Sequence, residues 1–269
     1  LKQRSKIPIV ISQHGGFYGI GKYSFNEEHE KKISNFYLTY GWDEKNNPKV
    51  LKNCIIRKSP FKNISPKRDG NCLLVILGVR RYSNFLSSLP IAHQSWENHH
   101  AYQEKFVSLL KSSIKSKLIV RCHQPDHGNN HFQRWVDNKN VSNVDFGTQK
   151  IRNLIKKSRI FISTYNATTF LESLTANFPT LIYWDKNMWE TREEAFEYLE
   201  MLNKAGILHY SYKSASAKLN EVWDDMDNWW NNSELQSLKN KFCDQYANNN
   251  NSKLLDFFKK MKMKNNEIY

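Results

Sequence analysis

The sequence predicts an α/β protein. The expected architecture is a Rossmann-type parallel sheet with helices on both faces, preceded by the last β-α-β portion of a second such sheet. Three observations carry this. Short apolar runs alternate with helical patterns along most of the chain. The runs are near-continuous rather than alternating with polar residues, as strands covered on both faces must be. A polar stretch at 43–69, holding Pro48, Pro60 and Pro66, separates a short leading unit from a longer second one.

In the leading unit, 7–12 reads as a strand, 13–21 as a glycine-bearing loop, 26–34 as a helix and 36–40 as a strand. The 43–69 stretch is expected to hold little regular structure beyond a short strand at 54–57. The second unit opens with a strand at 72–77, a helix at 96–114, a strand at 117–122 and a helix at 148–157. A strand at 160–163, a helix at 168–176, a strand at 180–183 and a helix at 191–205 follow. The expected boundaries are therefore the end of an N-terminal Rossmann-like domain at 1–50 and a linker at 51–70. A C-terminal domain at 71–235 and a helical tail at 236–269 complete the chain.

A chain of 269 residues with 39% hydrophobic content can fill such a core. Its longest clear apolar run, Cys72 to Val79, falls well short of the roughly 18 residues that a membrane span needs. Cys54, Cys72, Cys122 and Cys243 form no CxxC pair, and three sit in or beside apolar runs, so buried free thiols in a reducing cytosol are expected. No signal peptide is visible. The start at Leu1 rather than Met marks a trimmed N-terminus or a piece of a longer polypeptide.

The formal charge of +14 favours anionic partners: nucleic acid, an acidic membrane surface or phosphorylated small molecules. A solvated surface rich in lysine and asparagine accounts for it equally well. The basic residues are dispersed except in the tail "FFKKMKMKNNEIY", where Phe257, Phe258, Met261 and Met263 interleave with lysines. That tail either lies on an anionic membrane or frays as a terminal helix.

Ligands of open parallel sheets bind outside the carboxyl ends of the strands. The loops there are "QHGGFYGIG", "GVRRYSN", "HQPDHGNNH" and "STYNATT", rich in His, Arg, Gly and hydroxyls; the opposite edge, as in "KSSIKSK", is mostly lysine and serine. Ser163, Thr164, Asn166, Thr168 and Thr169 stand where a strand gives way to a helix, and helix N-termini bind phosphate through free N–H groups and the aligned dipole. Thr169 and Glu172 also fit a capping box, which would serve helix stability alone; Glu172 is alternatively placed to accept hydrogen bonds from ribose hydroxyls.

In "QHGGFYGIG" the GxGxxG spacing is absent, but adjacent Gly15 and Gly16 permit close backbone approach to a ligand. His14, at the strand's carboxyl end, is placed for proton transfer or for meeting a developing charge. Arg80 and Arg81 are suited to neutralising a diphosphate. His123, His127 and His131 have the four-residue spacing of a helical metal face, yet Pro125 and Gly128 argue against a helix, leaving His123 and Asp126 to line the cleft.

The stretches "QHGGFYGIGKYSFNEEHEKKISNFYLTYGW", "STYNATTFLESLTANFPTLIYWDKNMWETREEA" and "VWDDMDNWW" resemble the LIC12162 family, bacterial transferases of surface-polysaccharide loci first labelled from a Leptospira protein. More distantly, "RCHQPD" and "STYNATTFLESL" are similar to the donor domains of CDP-glycerol, capsule and Kdo transferases. The resemblance implies the GT-B architecture, with residues 71–235 as the nucleotide-sugar donor domain and residues 1–50 on the acceptor side. Family members are about twice as long, which implies a C-terminal half.

It further implies a glycosyltransferase, cytoplasmic with peripheral contact at the inner membrane face. Such an enzyme uses no cofactor and no metal, takes a nucleotide-activated sugar as co-substrate, and extends a glycan or lipid-linked glycan of the lipopolysaccharide, O-antigen or capsule kind. Donor phosphates would fall to Ser163–Thr169, with Gly15, Gly16, Arg80, Arg81, Arg121, His123 and Glu172 beside them. Candidates for the general base are His14 first and Glu28 second, the latter from the cluster Glu27, Glu28 and His29. Two other readings compete. The charge suggests a nucleic-acid-binding protein, although no RNA- or DNA-binding motif is present and the aromatic residues follow core patterns. The histidines of 93–131 suggest a metal-dependent hydrolase.

Overall fold

The computed structural model describes residues 7–78, 87–91 and 93–266, with backbone alone for 262–266. Two parallel sheets form within it. The first contains β1 (Val10–Ser12), β2 (Phe36–Thr39) and β3 (Val50–Lys52) in that order, with helix α1 (Phe25–Ile33) crossing from β1 to β2. The second contains β4 (Asn71–Val75), β5 (Leu118–Arg121), β6 (Asn143–Asp145), β7 (Ser158–Ser163), β8 (Thr180–Tyr183) and β9 (Leu208–His209). Its spatial order is β6-β5-β4-β7-β8-β9, every pair parallel. Counted from β4, that is the doubly wound order 3-2-1-4-5-6, whose topological switch lies between β4 and β7.

The β4–β5 crossover holds α2 (His93–Trp96), a π-helical turn (Glu97–Ala101), α3 (Tyr102–Ser108) and α4 (Ser112–Lys115). Then come α5 (His131–Val136), α6 (Ile151–Ile155), α7 (Thr168–Thr175) and α8 (Glu193–Lys204) in the successive crossovers. After β9 the chain is helical: α9 (Tyr212–Val222), α10 (Met226–Trp230), α11 (Ser233–Tyr246) and α12 (Ser252–Asn266).

The continuous apolar runs do what two-sided burial requires. Successive strand residues point to opposite faces. Cys72, Leu74, Ile160, Ile162, Leu181 and Tyr183 therefore enter one core with Phe106 of α3 and Leu219 of α9. Leu73, Val75, Phe161 and Ile182 enter the other with Phe170 of α7, Leu199 of α8 and Phe242 of α11. This second core continues without a break into the first sheet through Phe17, Ile20, Tyr37 and Trp42, which join Trp184 and Trp189. The chain between α11 and α12 stitches the units again: Asn248 donates its N–H to the Tyr40 carbonyl (2.7 Å) and accepts from the Ile55 N–H (2.7 Å). Helix α12 then returns to the first sheet, with Phe257 edge-on to Phe36 at 5.7 Å.

Two expectations need correction. The strand of the intervening stretch is β3 at Val50–Lys52, not 54–57. The Asn53 side chain takes the Cys54 N–H (2.9 Å) and Asn248 takes the Ile55 N–H, so no ladder continues there. The helix expected over 96–114 is interrupted after Ser108, because Asn220 of α9 binds both the Leu109 carbonyl and the Lys111 N–H at 2.9 Å.

Candidate active site

At the switch point, Val75 of β4 is in register with Ser163 of β7. The Thr164 hydroxyl donates to the Val75 carbonyl (3.2 Å) and the Ser163 hydroxyl to the Tyr165 carbonyl (3.1 Å). Both side chains are fully buried. Their hydroxyls thus shape the turn and fasten two strand ends together. Asn166 follows, 2% exposed, and neither its amide oxygen nor its amide nitrogen has a protein partner. An unsatisfied buried amide costs about 1–3 kcal/mol, so this one calls for a water or a bound polar group to complete it.

Helix α7 starts at Thr168 behind an extended Ala167 (φ −153°, ψ −168°), and no side chain caps it. The capping box is not formed. Thr169 lies inside the helix with its hydroxyl against the buried Tyr165 phenol, while Glu172 turns to Arg57, whose Nε is 3.6 Å away. The positive end of the helix dipole is left for another partner.

The glycine loop of the first unit meets this helix start directly. The Gly16 N–H donates to the Thr168 hydroxyl at 2.9 Å. A Cβ on Gly16 would stand 2.6 Å from the Ala167 carbonyl carbon and the Thr168 Cα, so only glycine fits. Gly15 is different: its added Cβ would meet nothing nearer than the Tyr18 ring at 3.5 Å.

His14, two residues before Gly16, has an exposed ring whose Nδ1 lies 3.0 Å from Glu30 Oε1 on α1 and whose Nε2 lies 3.4 Å from the Tyr18 hydroxyl. The Tyr37 hydroxyl donates to the other Glu30 oxygen (3.4 Å). Burial pushes the Glu30 carboxyl up, and the neighbouring His14 pulls it back in part. A carboxylate on Nδ1 fixes the imidazole's orientation and leaves Nε2 for proton transfer. Two peptide units span at most about 7.6 Å, so this dyad stands beside the α7 N-terminus.

Glu28 is not brought to this place. Two residues along a helix turn about 200°. Glu30 therefore faces His14, whereas Glu28 pairs with Lys31 (2.7 Å) and lines a groove of about 900 Å³ together with Trp42, Arg192 and Tyr198. Glu27 is an anchor: fully buried, it accepts the Gly19 N–H (3.0 Å), Arg192 Nη2 (2.5 Å) and Lys31 Nζ (3.1 Å). His29 stacks on Phe25 at 6.2 Å.

Beyond α7's first turn, a cavity of about 450 Å³ is lined by Arg57, Ser59, Lys62, Glu172, Thr175 and Asn251, among others. Burial pushes the Glu172 carboxyl up to about 7, with Arg57 offsetting only part of the cost. Its Oε1 has no hydrogen-bond partner. Tyr40 is pushed up to about 12, chiefly by burial and next by the charge of Glu172, with Arg57 opposing. Glu30, Arg57 and Tyr40 were not expected from the sequence. The only hint was that Glu30 falls three residues after Glu27 on the same helix.

At the end of β5, Arg121 pairs with the buried Asp145 and donates to the Gly147 carbonyl (3.4 Å), so it joins β5 to β6. His123 is exposed beside Gly78, where an added Cβ would lie 3.0 Å from its Nδ1, and its ring stacks on His127 at 6.5 Å. His131 is held by Asp126 (2.5 Å) and the His123 carbonyl (3.2 Å). Left-handed backbone at His127, Gly128 and Asn130 keeps the stretch out of a helix until His131. Among the described residues, no group of three or more His, Cys, Asp or Glu is arranged to hold a metal ion. Arg80 and Arg81 lie outside the described residues.

The site thus combines an uncapped helix start with an unsatisfied amide, a carboxylate-oriented histidine and a buried carboxyl beside a basic cavity. That set can hold an anion and move a proton next to it. None of the curated proteins matches the chain in sequence. Among solved structures, the crystal structure of Acinetobacter baumannii MurG is similar with a TM-score of 0.44 and 12% identity, over 95% of this chain and 67% of that one. Residues 1–261 match the sequence pattern of the LIC12162 family transferases, and the chain belongs to that family of transferases.

Proposed function

We propose that this transferase moves a sugar or related group from a nucleotide-activated donor to a cell-surface glycan or lipid-linked glycan, with the GT-B division of labour between its two sheets. Residues 71–235 form the donor domain and 1–50 the acceptor side. The observation that carries the reading is the Gly16–Thr168 junction, which sets the His14–Glu30 pair beside the uncapped α7 N-terminus at the sheet's switch point.

In this reading the donor's phosphates sit on the first-turn N–H groups of α7 and the Asn166 amide, with Arg80 and Arg81 close by in sequence. Glu172, about 6 Å further along the helix axis, meets the ribose hydroxyls. His14 Nε2 takes the proton of the acceptor hydroxyl as its oxygen attacks the sugar carbon. The bond to the donor phosphate breaks, its electron pair leaves with the nucleotide, and the helix dipole meets the new charge without a metal ion.

Thermal-shift and calorimetric titration with UDP, GDP, CMP and CDP tests this. At least one is expected to stabilise the chain, with loss of the effect on Asn166→Leu. No response to any nucleotide, in this chain and in a longer family member, overturns the reading.

A further inference from the structure

We propose that a trough running past α6, α7 and α11 binds an anionic glycan chain, one carrying carboxylate or phosphate groups along its sugars. Three cavities in series form it. The first, of about 620 Å³, lies between residues 58–63 and the start of α6 and is lined by Lys58, Lys62, Lys150 and Arg152. It shares Lys58, Ser59, Lys62 and Asn63 with the cavity of about 450 Å³ that holds Arg57 and Glu172. That cavity in turn shares Thr175 and Asn249 with a third, also of about 450 Å³, which reaches Lys239 of α11.

Folding gathers cations that are scattered along the chain. Arg57, Lys58 and Lys62 come from the stretch ahead of β4, and Lys150 and Arg152 from the start of α6. Arg152 Nη1 joins the two segments by donating to the carbonyls of Pro60 (2.8 Å) and Lys62 (2.9 Å). Among the described residues, the exposed ammonium groups of Lys58, Lys62 and Lys150 have no ion-pair partner. Lys239 is 3% exposed, and its ammonium meets two amide oxygens, Asn177 Oδ1 (2.5 Å) and Gln236 Oε1 (2.7 Å), rather than a carboxylate. Burial lowers its hold on the proton, a cost that an anion in the third cavity would offset.

The lining selects the partner. Arg57, Lys58, Lys62, Lys150, Arg152 and Lys239 stand against two acidic residues, Glu172 and Asp244, and burial keeps Glu172 protonated up to about pH 7. Asn63, Asn177, Gln236, Asn240 and Asn249 add side-chain amides, which both donate to and accept from hydroxyl groups. Cations set among amides suit a chain with acidic groups set among hydroxyls. Among the described residues, no aromatic side chain lines the three cavities, so a single-stranded nucleic acid would find cations but no surface on which to stack its bases. Glu172 is the one residue that the trough shares with those assigned to transfer. In the transfer reading, on which this use of the trough rests, the bound glycan is the acceptor chain, held behind its reacting end.

The test is calorimetric titration of the chain with oligogalacturonate and with a phosphomannan oligosaccharide, against dextran oligomers and single-stranded RNA at the same salt concentration. At least one acidic glycan is expected to bind and dextran is not, and the affinity is expected to fall as salt rises. A disaccharide of the acidic sugar is expected to bind at least about tenfold more weakly than the longer oligomer, because linked contacts reinforce one another. Lys62→Glu with Lys150→Glu, both at exposed positions, is expected to weaken binding by at least about tenfold while leaving any nucleotide-induced thermal shift unchanged. Lys239→Met is expected to weaken it as well. Glycan binding without any nucleotide response sinks the transfer reading and leaves the trough standing; a nucleotide response without glycan binding does the reverse. Binding of neither acidic glycan, equal binding of dextran, tighter binding of RNA than of either glycan, equal affinity for disaccharide and oligomer, or full binding by the double-glutamate variant each overturns the proposal.

Discussion

Gly16 and Thr168, 152 residues apart in sequence, share a 2.9 Å hydrogen bond that joins the glycine loop of one sheet to the helix start of the other. A Gly16→Ala side chain would lie 2.6 Å from backbone atoms, which cannot rotate away. Overpacking of this kind costs about 1–3 kcal/mol or more. Chemical denaturation is expected to show that loss for Gly16→Ala and almost none for Gly15→Ala, whose nearest new neighbour is at 3.5 Å.

Asn166 offers an opposite trade between stability and binding. Its amide is buried without partners, so Asn166→Leu removes a desolvation cost and keeps most of the volume. The variant is expected to be as stable as the parent or more so, by up to about 1–3 kcal/mol, with nucleotide affinity lowered at least about tenfold. Parallel melting and titration decide it; a variant less stable than the parent with unchanged affinity would give Asn166 a structural role.

The hydroxyls beside it behave differently. Because Ser163 and Thr164 donate to backbone carbonyls, Ser163→Ala and Thr164→Val are expected to lose about 1 kcal/mol of stability each and to leave nucleotide affinity close to normal.

Glu172 makes stability depend on pH. Its carboxyl is raised from 4.5 to about 7 by burial, so between those values the folded chain holds a proton that the unfolded chain has released. The stabilisation is complete below about 4.5 and is lost as pH rises through about 7. For a side chain 3% exposed the swing is of the order of 3 kcal/mol. Glu172→Gln is expected to flatten the profile and to melt higher than the parent above neutral pH, measured by denaturation from pH 4 to 8, roughly the window set by linkage.

His14→Ala is expected to cost about 10²–10⁴-fold in transfer in a full-length family member while nucleotide affinity stays within a few fold. Glu30→Gln keeps the ring's neighbour but removes its charge. It is expected to lower turnover less than His14→Ala and to move the acidic limb of the pH–rate profile, where a general base gains its proton. An unmoved profile would make Glu30 merely structural.

Much of this was legible because it is local. The run at 160–163, the small polar turn and the apolar run at 180–183 are contiguous, and the structure places β7, α7 and β8 there with α7 starting at Thr168. The edge strands were not legible. Asn143–Asp145 has no apolar run, and β6 forms because its backbone pairs with β5 and Asp145 pairs with Arg121. In the site, His14 could be picked out by its place after a strand, but Glu30 could not, since only the packing of α1 against β1 and β2 brings the carboxylate to Nδ1. The capping box misled because Thr169–Glu172 has the right spacing but stands two residues past the N-cap position, Ala167: the helix had already begun.

The core that runs unbroken from Tyr37 and Trp42 to Trp184 and Trp189 has a kinetic consequence. Swinging the sheets apart would strip Phe17 and Ile20 from their aromatic partners and break the Glu27–Arg192 pair, so the chain should melt in one calorimetric transition. Any molecule bound at the α7 N-terminus is then expected to exchange by local opening rather than by a swing of the sheets, which a single-exponential release unaffected by hinge substitutions would show.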